Sequence, residues 1–385
     1  MSPAVQAPSR RAPRCATART TFPALQSPSF VVSNSTTNIL MLRPRQLRGG
    51  RVMELETLKS TDGRFGLING TAFEAIDRVN DALYWGALDY FRGNGFMWVD
   101  VPTLTRVTGA CENVDTLYSV DHFGRNAYLA QTGQLYLEAK IPRHEKVWTV
   151  ITSSRAEAKV DARHLNQFQL LEFEHRGGFE SLLNHVEGTV KAMVAGAVAN
   201  APGELALLGR SPADLAEYLK PFNRISYAEA IGLLEGTPLE VGWGSDLKHS
   251  HELRLVAATG GRPLFITHFP KAIKFFNMRV NRSDDSVVNS ADLILPHSGE
   301  AVGSAEREDD YALLKERLLA SSMYSILSKR GVALSEFEDY LSLVRDNPIL
   351  HSGCGIGFPR VSQSVLGFSD IRQATSYPLN AETLY

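Results

Sequence analysis

Residues 155–172 run Arg155-Ala156-Glu157-Ala158-Lys159-Val160-Asp161-Ala162-Arg163-His164-Leu165-Asn166-Gln167-Phe168-Gln169-Leu170-Leu171-Glu172. A cation and a short charged loop lead to a second basic pair, an aromatic ring and a strand-like run, Gln167–Phe173. A bent nucleoside triphosphate needs such groups. Arginine forks contact phosphate oxygens, and an aromatic ring offers a face to adenine. Taken alone, Arg and His on a hairpin are more often solvated or salt-bridged, so the surrounding chain has to decide.

Working upstream, Ala75, Ile76, Val79, Leu83, Ala87 and Tyr90 fall at helical spacing and predict an amphipathic helix ending at Gly93 and Gly95. Phe96-Met97-Trp98-Val99-Asp100-Val101 then reads as a strand stopped by Pro102. Further strands are expected at 127–130, 147–152, 263–267, 275–280 and 292–295. Helices are expected at 181–200, 211–220, 226–235, 306–330 and 335–344. Most strands are not separated by single helices, which disfavours repeated βαβ winding. The fold class is α+β, a mostly antiparallel sheet of six or seven strands flanked by helices. No internal repeat and no GxxxxGK[ST] phosphate loop is present.

Composition narrows the function classes. The 385 residues carry a formal net charge of -2, which gives no overall attraction to nucleic acid or anionic membrane and argues against a dedicated DNA or RNA binder. Cys15, Cys111 and Cys354 are far apart, so neither a disulfide framework nor a cysteine zinc site is supported. No apolar run is long enough to span a membrane. Residues 1–53 hold eight arginines and no Asp, Glu or Lys, a composition that cannot bury a core. Residues 1–55 therefore read as a disordered or targeting extension, and 56–385 as one catalytic domain. The readings open for 1–53 are a non-structural extension, a start codon at Met41 or Met53, or an organelle transit peptide. Location is accordingly cytoplasmic, or organellar if the extension is a transit peptide.

The charged stretch, RAE followed by RHLxxFxxLE, resembles the second signature motif of the class II aminoacyl-tRNA synthetases, in their asparaginyl/aspartyl branch. Phe91-Arg92-Gly93-Asn94-Gly95-Phe96 through Val101-Pro102 is similar to the first motif, and His351-Ser352-Gly353-Cys354-Gly355-Ile356-Gly357-Phe358-Pro359-Arg360 to the third. Residues 221–227, 243–247, 251–252 and 269–274 also have counterparts, so the resemblance covers about 72–378. The asparaginyl members are closest.

The resemblance implies an ATP- and Mg²⁺-dependent, adenylate-forming ligase that works as a homodimer, with Pro102 at the interface. Arg155 would hold the α-phosphate, Arg163 and His164 the outer phosphates, and Phe168 and Arg360 the two faces of adenine. Glu157 would belong to the same ATP site. Asp292 and Glu300 would bind Mg²⁺ across a strand and its following loop. Arg155, Glu300 and Arg360 would form the catalytic set, acting by positioning and charge neutralisation without a protein nucleophile. Glu112 and Gln134 would meet the α-amino group of the amino acid. Glu172 would accept from a carboxamide NH₂, and Arg307 would donate to the carboxamide oxygen. In the aspartyl branch a lysine stands at Leu137 and an Asp at Glu172. An apolar residue cannot neutralise a β-carboxylate, so asparagine or a close analogue is preferred over aspartate.

The pattern also departs from the family. The chain ahead of the core leaves no room for the usual anticodon-binding barrel, which suggests a paralogue. Ser154, Gln167 and Pro359 replace a usual Phe, Glu and acidic residue, and Gly303-Ser304-Ala305 replaces a GGS run. Ser376-Tyr377-Pro378-Leu379 lacks the near-terminal arginine. Activation with an altered acceptor is the leading expectation, the acyl group passing to a small amine, ammonia or a carrier. A compact asparaginyl-tRNA synthetase with tRNA as acceptor, an aspartate–ammonia ligase and a non-catalytic regulatory paralogue are the alternatives.

Overall fold

The computed structural model describes residues 55–59, 62–107 and 114–385. The expected extension, and Glu112 with it, therefore lie outside the described residues.

Among the described residues eleven strands form: β1 (Met97–Trp98), β2 (Leu104–Thr105), β3 (Ser119–His122), β4 (Arg125–Leu129), β5 (Lys146–Ser154), β6 (Gln167–Arg176), β7 (Asn223–Ser226), β8 (Leu264–Thr267), β9 (Ser290–Leu295), β10 (Gly299–Glu306) and β11 (His351–Gly357). Eight make one sheet in the order β1-β5-β6-β11-β10-β9-β8-β7, and β2-β4-β3 make a small second sheet. Among the described residues only the edge pairs β1–β5 and β7–β8 are parallel. The class is α+β as expected, with eight strands in the large sheet rather than six or seven, because β7, β10 and β11, which the sequence did not predict, join it.

One face of the large sheet carries the main core. Leu171 and Phe173 of β6, Leu293 and Leu295 of β9, and Ile356 of β11 pack there against helices Thr71–Gly93 and Phe179–Asn200. The two helices cross closely enough that a Cβ on Gly86 would lie 2.4 Å from the Ala192 carbonyl, and one on Gly196 would lie 2.6 Å from that of Ala82. Glycine is the side chain that permits this backbone approach. The alternation of β6 sends Phe168, Leu170, Glu172 and Glu174 to the other face, where the site lies.

Two expected elements differ. Residues 275–280 form no strand. They make the isolated bridges Met278–Arg307 and Val280–Val288 while burying Phe276, Met278 and Val280. The stretch expected to be helical from 306 begins as the end of β10 and then splits into helices Tyr311–Ala320 and Ser322–Lys329. These helices pack with Glu338–Asp346 around their own cluster of Leu314, Leu318, Phe337 and Leu341.

Candidate active site

One cavity of about 260 Å³ opens on the second face of the large sheet. Its walls include Arg155, Glu157, Arg163, His164, Phe168 and Arg360, together with Gln134, Glu172 and Arg307, and with Asp292 and Glu300. Sequence-distant groups converge because β5–β6, β9–β10 and β11 are adjacent strands.

At the basic end, the hairpin between β5 and β6 is pinned where the Arg155 N–H donates to the Asn166 carbonyl, 2.8 Å. The Arg155 guanidinium lies 5.2 Å from the centroid of the Phe168 ring. Arg360 lies in the first turn of the helix Phe358–Leu366, and its fork donates to the Ser298 and Arg163 carbonyls at 2.6 and 2.7 Å. Burial and the nearby Arg163 lower this guanidinium to about 10. The group over the Phe168 ring is thus Arg155, while Arg360 bridges two loops. His164 is held at 2.7 Å by Asp161 and lies 3.8 Å from Glu157. Arg163 lies 3.7 Å from Glu252, a buried carboxylate that also accepts from the Glu300 N–H at 3.1 Å.

The acidic end sits on a hairpin. Asp292 lies on β9 and Glu300 near the start of β10, so the expected following loop is a paired antiparallel strand. The turn needs a left-handed backbone at Gly299, φ 75°, and a Cβ there would strike Glu252 at 2.3 Å. Lys274 donates to both Asp292 oxygens at 2.9 and 2.7 Å. Glu300 lines the cavity and keeps solvent access there. The protein packed around it first, and the Asp292 charge second, push its carboxyl upward. Among the described residues no group of three or more His, Cys, Asp or Glu forms a ready-made metal cage. Two carboxylates crowded beside Glu252, with a single lysine between them, suit a divalent ion that takes its other oxygens from phosphate.

The remaining end is a closed polar network that sequence reasoning largely missed. Glu172 accepts from Thr132 Oγ1 at 2.6 Å and from the Gly133 N–H at 2.7 Å. Arg307 is 3 % exposed and donates through Nη2 and Nε to Glu174 Oε1, at 2.6 and 3.1 Å. Burial, reinforced by Glu138, pushes the Glu174 carboxyl up to about 7 against the pull of Arg307. Behind them Glu138 takes donors from Gln134, Tyr340 and His351. The available signal was the i,i+4 spacing of Gln134 and Glu138 on one helix face. Room for Glu174 comes from Gly353, the residue paired with it on β11, where a Cβ would lie 2.1 Å from the carboxyl carbon.

The family profile of class II tRNA synthetases (D, K and N) matches residues 70–381. The chain belongs to that family. Class II synthetase membership makes it an ATP-dependent ligase. It is 35% identical over 313 residues to the asparagine–tRNA ligase of Pyrococcus furiosus, across 81% of this chain and 69% of that enzyme. It is 34% identical over 306 residues to the asparagine–tRNA ligase of Pelotomaculum thermopropionicum, covering 79% of this chain and 68% of that one. The crystal structure of asparaginyl-tRNA synthetase from Pyrococcus horikoshii complexed with asparaginyl-adenylate superposes with a TM-score of 0.78 at 34% identity, over 86% of this chain and 73% of that one. No described helix of this class II synthetase is long and apolar enough to cross a membrane.

Proposed function

We propose that this enzyme activates asparagine as its adenylate at the expense of ATP and transfers the asparaginyl group to tRNA. The observation carrying this reading is the single cavity in which a basic, aromatic end meets the buried Glu172 and Arg307 with no lysine at Leu137. The asparagine–tRNA ligases that align over about four fifths of the chain support tRNA as acceptor over the small amine favoured by the sequence alone.

In this reading Arg155 neutralises charge developing at the α-phosphate, and Arg163, His164 and Glu157 order the outer phosphates. Phe168 and Arg360 flank adenine, Arg155 moving from the ring face to the phosphate. Asp292 and Glu300 would hold Mg²⁺, which supplies positive charge to the phosphate oxygens. Glu112 and Gln134 receive the α-ammonium. Glu172 accepts from the carboxamide NH₂, and Arg307 donates to its oxygen. The carboxylate of asparagine then displaces pyrophosphate by attack on phosphorus, a step that alignment and charge neutralisation suffice to promote. Pairing of two copies through helix Thr71–Gly93 and Pro102 completes the proposal, as does a targeting or non-structural role for the first 53 residues.

The test is asparagine-dependent ATP–pyrophosphate exchange by the full chain, followed by charging of purified tRNA. Exchange with asparagine but not aspartate, with stable asparaginyl-tRNA formed, is expected. Exchange without charging would move the acceptor to a small amine, ammonia or a carrier. No asparagine-dependent exchange would overturn the reading.

A further inference from the structure

Glu138 is 1 % exposed, lies on the short helix Gln134–Glu138, and sits behind the cavity wall. Four groups converge on its carboxylate. Gln134 Nε2 donates to Oε1 at 2.6 Å, and Tyr340 OH donates to Oε2 at 3.0 Å. His351 Nε2 stands 3.1 Å from Oε2, and Arg307 Nε stands 3.8 Å from Oε1. The other nitrogen of His351, Nδ1, faces the Ile349 carbonyl at 2.7 Å. Both ring nitrogens therefore face acceptors, and the geometry calls for an imidazolium. Two acidic side chains, Glu138 and Glu174, and two basic ones, Arg307 and His351, pair within one buried set.

An ionised carboxylate only accepts, whereas a carboxamide presents a donor at one end and an acceptor at the other. Set against Glu138, Gln134 has to turn its NH₂ inward, which directs its carbonyl oxygen away from Glu138. A carbonyl can receive an ammonium; an NH₂ group cannot. The same carboxylate backs Arg307, the group proposed to meet the substrate side chain.

We propose that Glu138 is a positioning residue that fixes the polarity of the amino-acid pocket, orienting Gln134 to accept the substrate α-ammonium and bracing Arg307 for the carboxamide. The proposal rests on the asparagine-activating reading above. It separates this role from packing, because only a substrate with an α-amino group benefits from the orientation of Gln134.

The experiment is pyrophosphate exchange by the full chain with asparagine and with succinamic acid, which is asparagine without its α-amino group. Glu138→Gln gives the site a carboxamide that can donate as well as accept, so Gln134 loses its fixed direction. The expected result is a rise of about tenfold to a hundredfold in KM for asparagine, with KM for ATP within about twofold of wild type. The preference for asparagine over succinamate in kcat/KM should fall by about tenfold or more. Equal losses on both substrates, or a KM for ATP that rises in step, overturn the proposal. If Glu138→Gln does not fold, Tyr340→Phe removes one donor from the carboxylate. A fall of a few fold in the same preference then supports the proposal, and an unchanged preference overturns it. Wild-type enzyme with no asparagine-dependent exchange would overturn the function itself. Normal wild-type exchange with an unchanged preference overturns this inference alone.

Discussion

Replacing Gly353 by alanine adds one methyl group to the centre of β11. The built Cβ lies 2.1 Å from both Cδ and Oε1 of Glu174 and 2.4 Å from Oε2. Carbon atoms do not approach so closely, and the carboxylate has to retreat by about 1 Å or more to reach ordinary contact. That retreat breaks the 2.6 and 3.1 Å bonds from Arg307. Arg307, 3 % exposed, is then left as a buried cation stripped of its fork partner. Breaking one side of such a pair costs about 3–5 kcal/mol when nothing relaxes. Because Glu138 stays at 3.8 Å, the loss should lie toward the lower end. If Arg307 also binds the carboxamide, losing a charge-assisted bond worth about 1.5–3 kcal/mol raises KM for asparagine about tenfold to a hundredfold. Gly355→Ala is the internal control. Its Cβ would meet Glu172 Oε1 at 3.6 Å, ordinary van der Waals contact, so its stability should stay within about 0.5 kcal/mol of wild type. Urea denaturation and asparagine-dependent exchange read both quantities. A Gly353→Ala protein with the wild-type midpoint and KM would refute the steric argument.

Arg155→Ala should lower exchange by about 10²–10³ in kcat while leaving the denaturation midpoint unchanged, because it removes charge at the reacting phosphate; normal exchange would exclude that role. Phe168→Ala should raise KM for ATP by about tenfold, since stacking on a base is worth about 1–3 kcal/mol, and should spare KM for asparagine; a reversed pattern would place adenine elsewhere. The Glu174 carboxyl, raised from 4.5 to about 7, binds a proton in the folded protein that the unfolded chain has already shed. Its contribution is therefore full below about pH 4.5 and is lost as pH rises through about 7. Urea titrations across that window should show a shallower decline for Glu174→Gln than for wild type, and equal slopes would disprove the shift.

The sequence reading reached the ends of the cavity unequally. The basic end was legible because Arg155, Arg163, His164 and Phe168 lie within one hairpin, where spacing alone sets neighbours. Strand β6 was legible through its apolar alternation, and the helix at 71–93 through its period. Strands β10 and β11 were not. Gly299, Gly303, Gly353, Gly355 and Gly357 give them the low β-propensity of a loop. At Gly353 the missing side chain is what lets Glu174 fit. Residues 275–280 misled in the opposite sense, since buried Phe276, Met278 and Val280 alternate without strand pairing. The network of Glu138, Glu174 and Arg307 was invisible because its bonds join residues 133, 202 and 213 positions apart. No local pattern encodes such a pairing.

The segment between β10 and β11 folds three helices around its own apolar cluster and touches the polar network through Arg307 and Tyr340, with His351 following at the start of β11. This arrangement bears on how substrate choice can change over generations. Within residues 308–350 the apolar cluster, Glu308 and Arg317 are constrained, and the exposed positions between them can vary while a hydroxyl at 340 still reaches Glu138. A different excursion grafted between the same two strands would rewrite the wall behind Glu174 and Arg307 and leave the hairpin between β5 and β6 untouched. On the proposed assignment that hairpin is a fixed engine, and the excursion is an exchangeable fitting through which one ancestral ligase could give rise to relatives with other side-chain preferences.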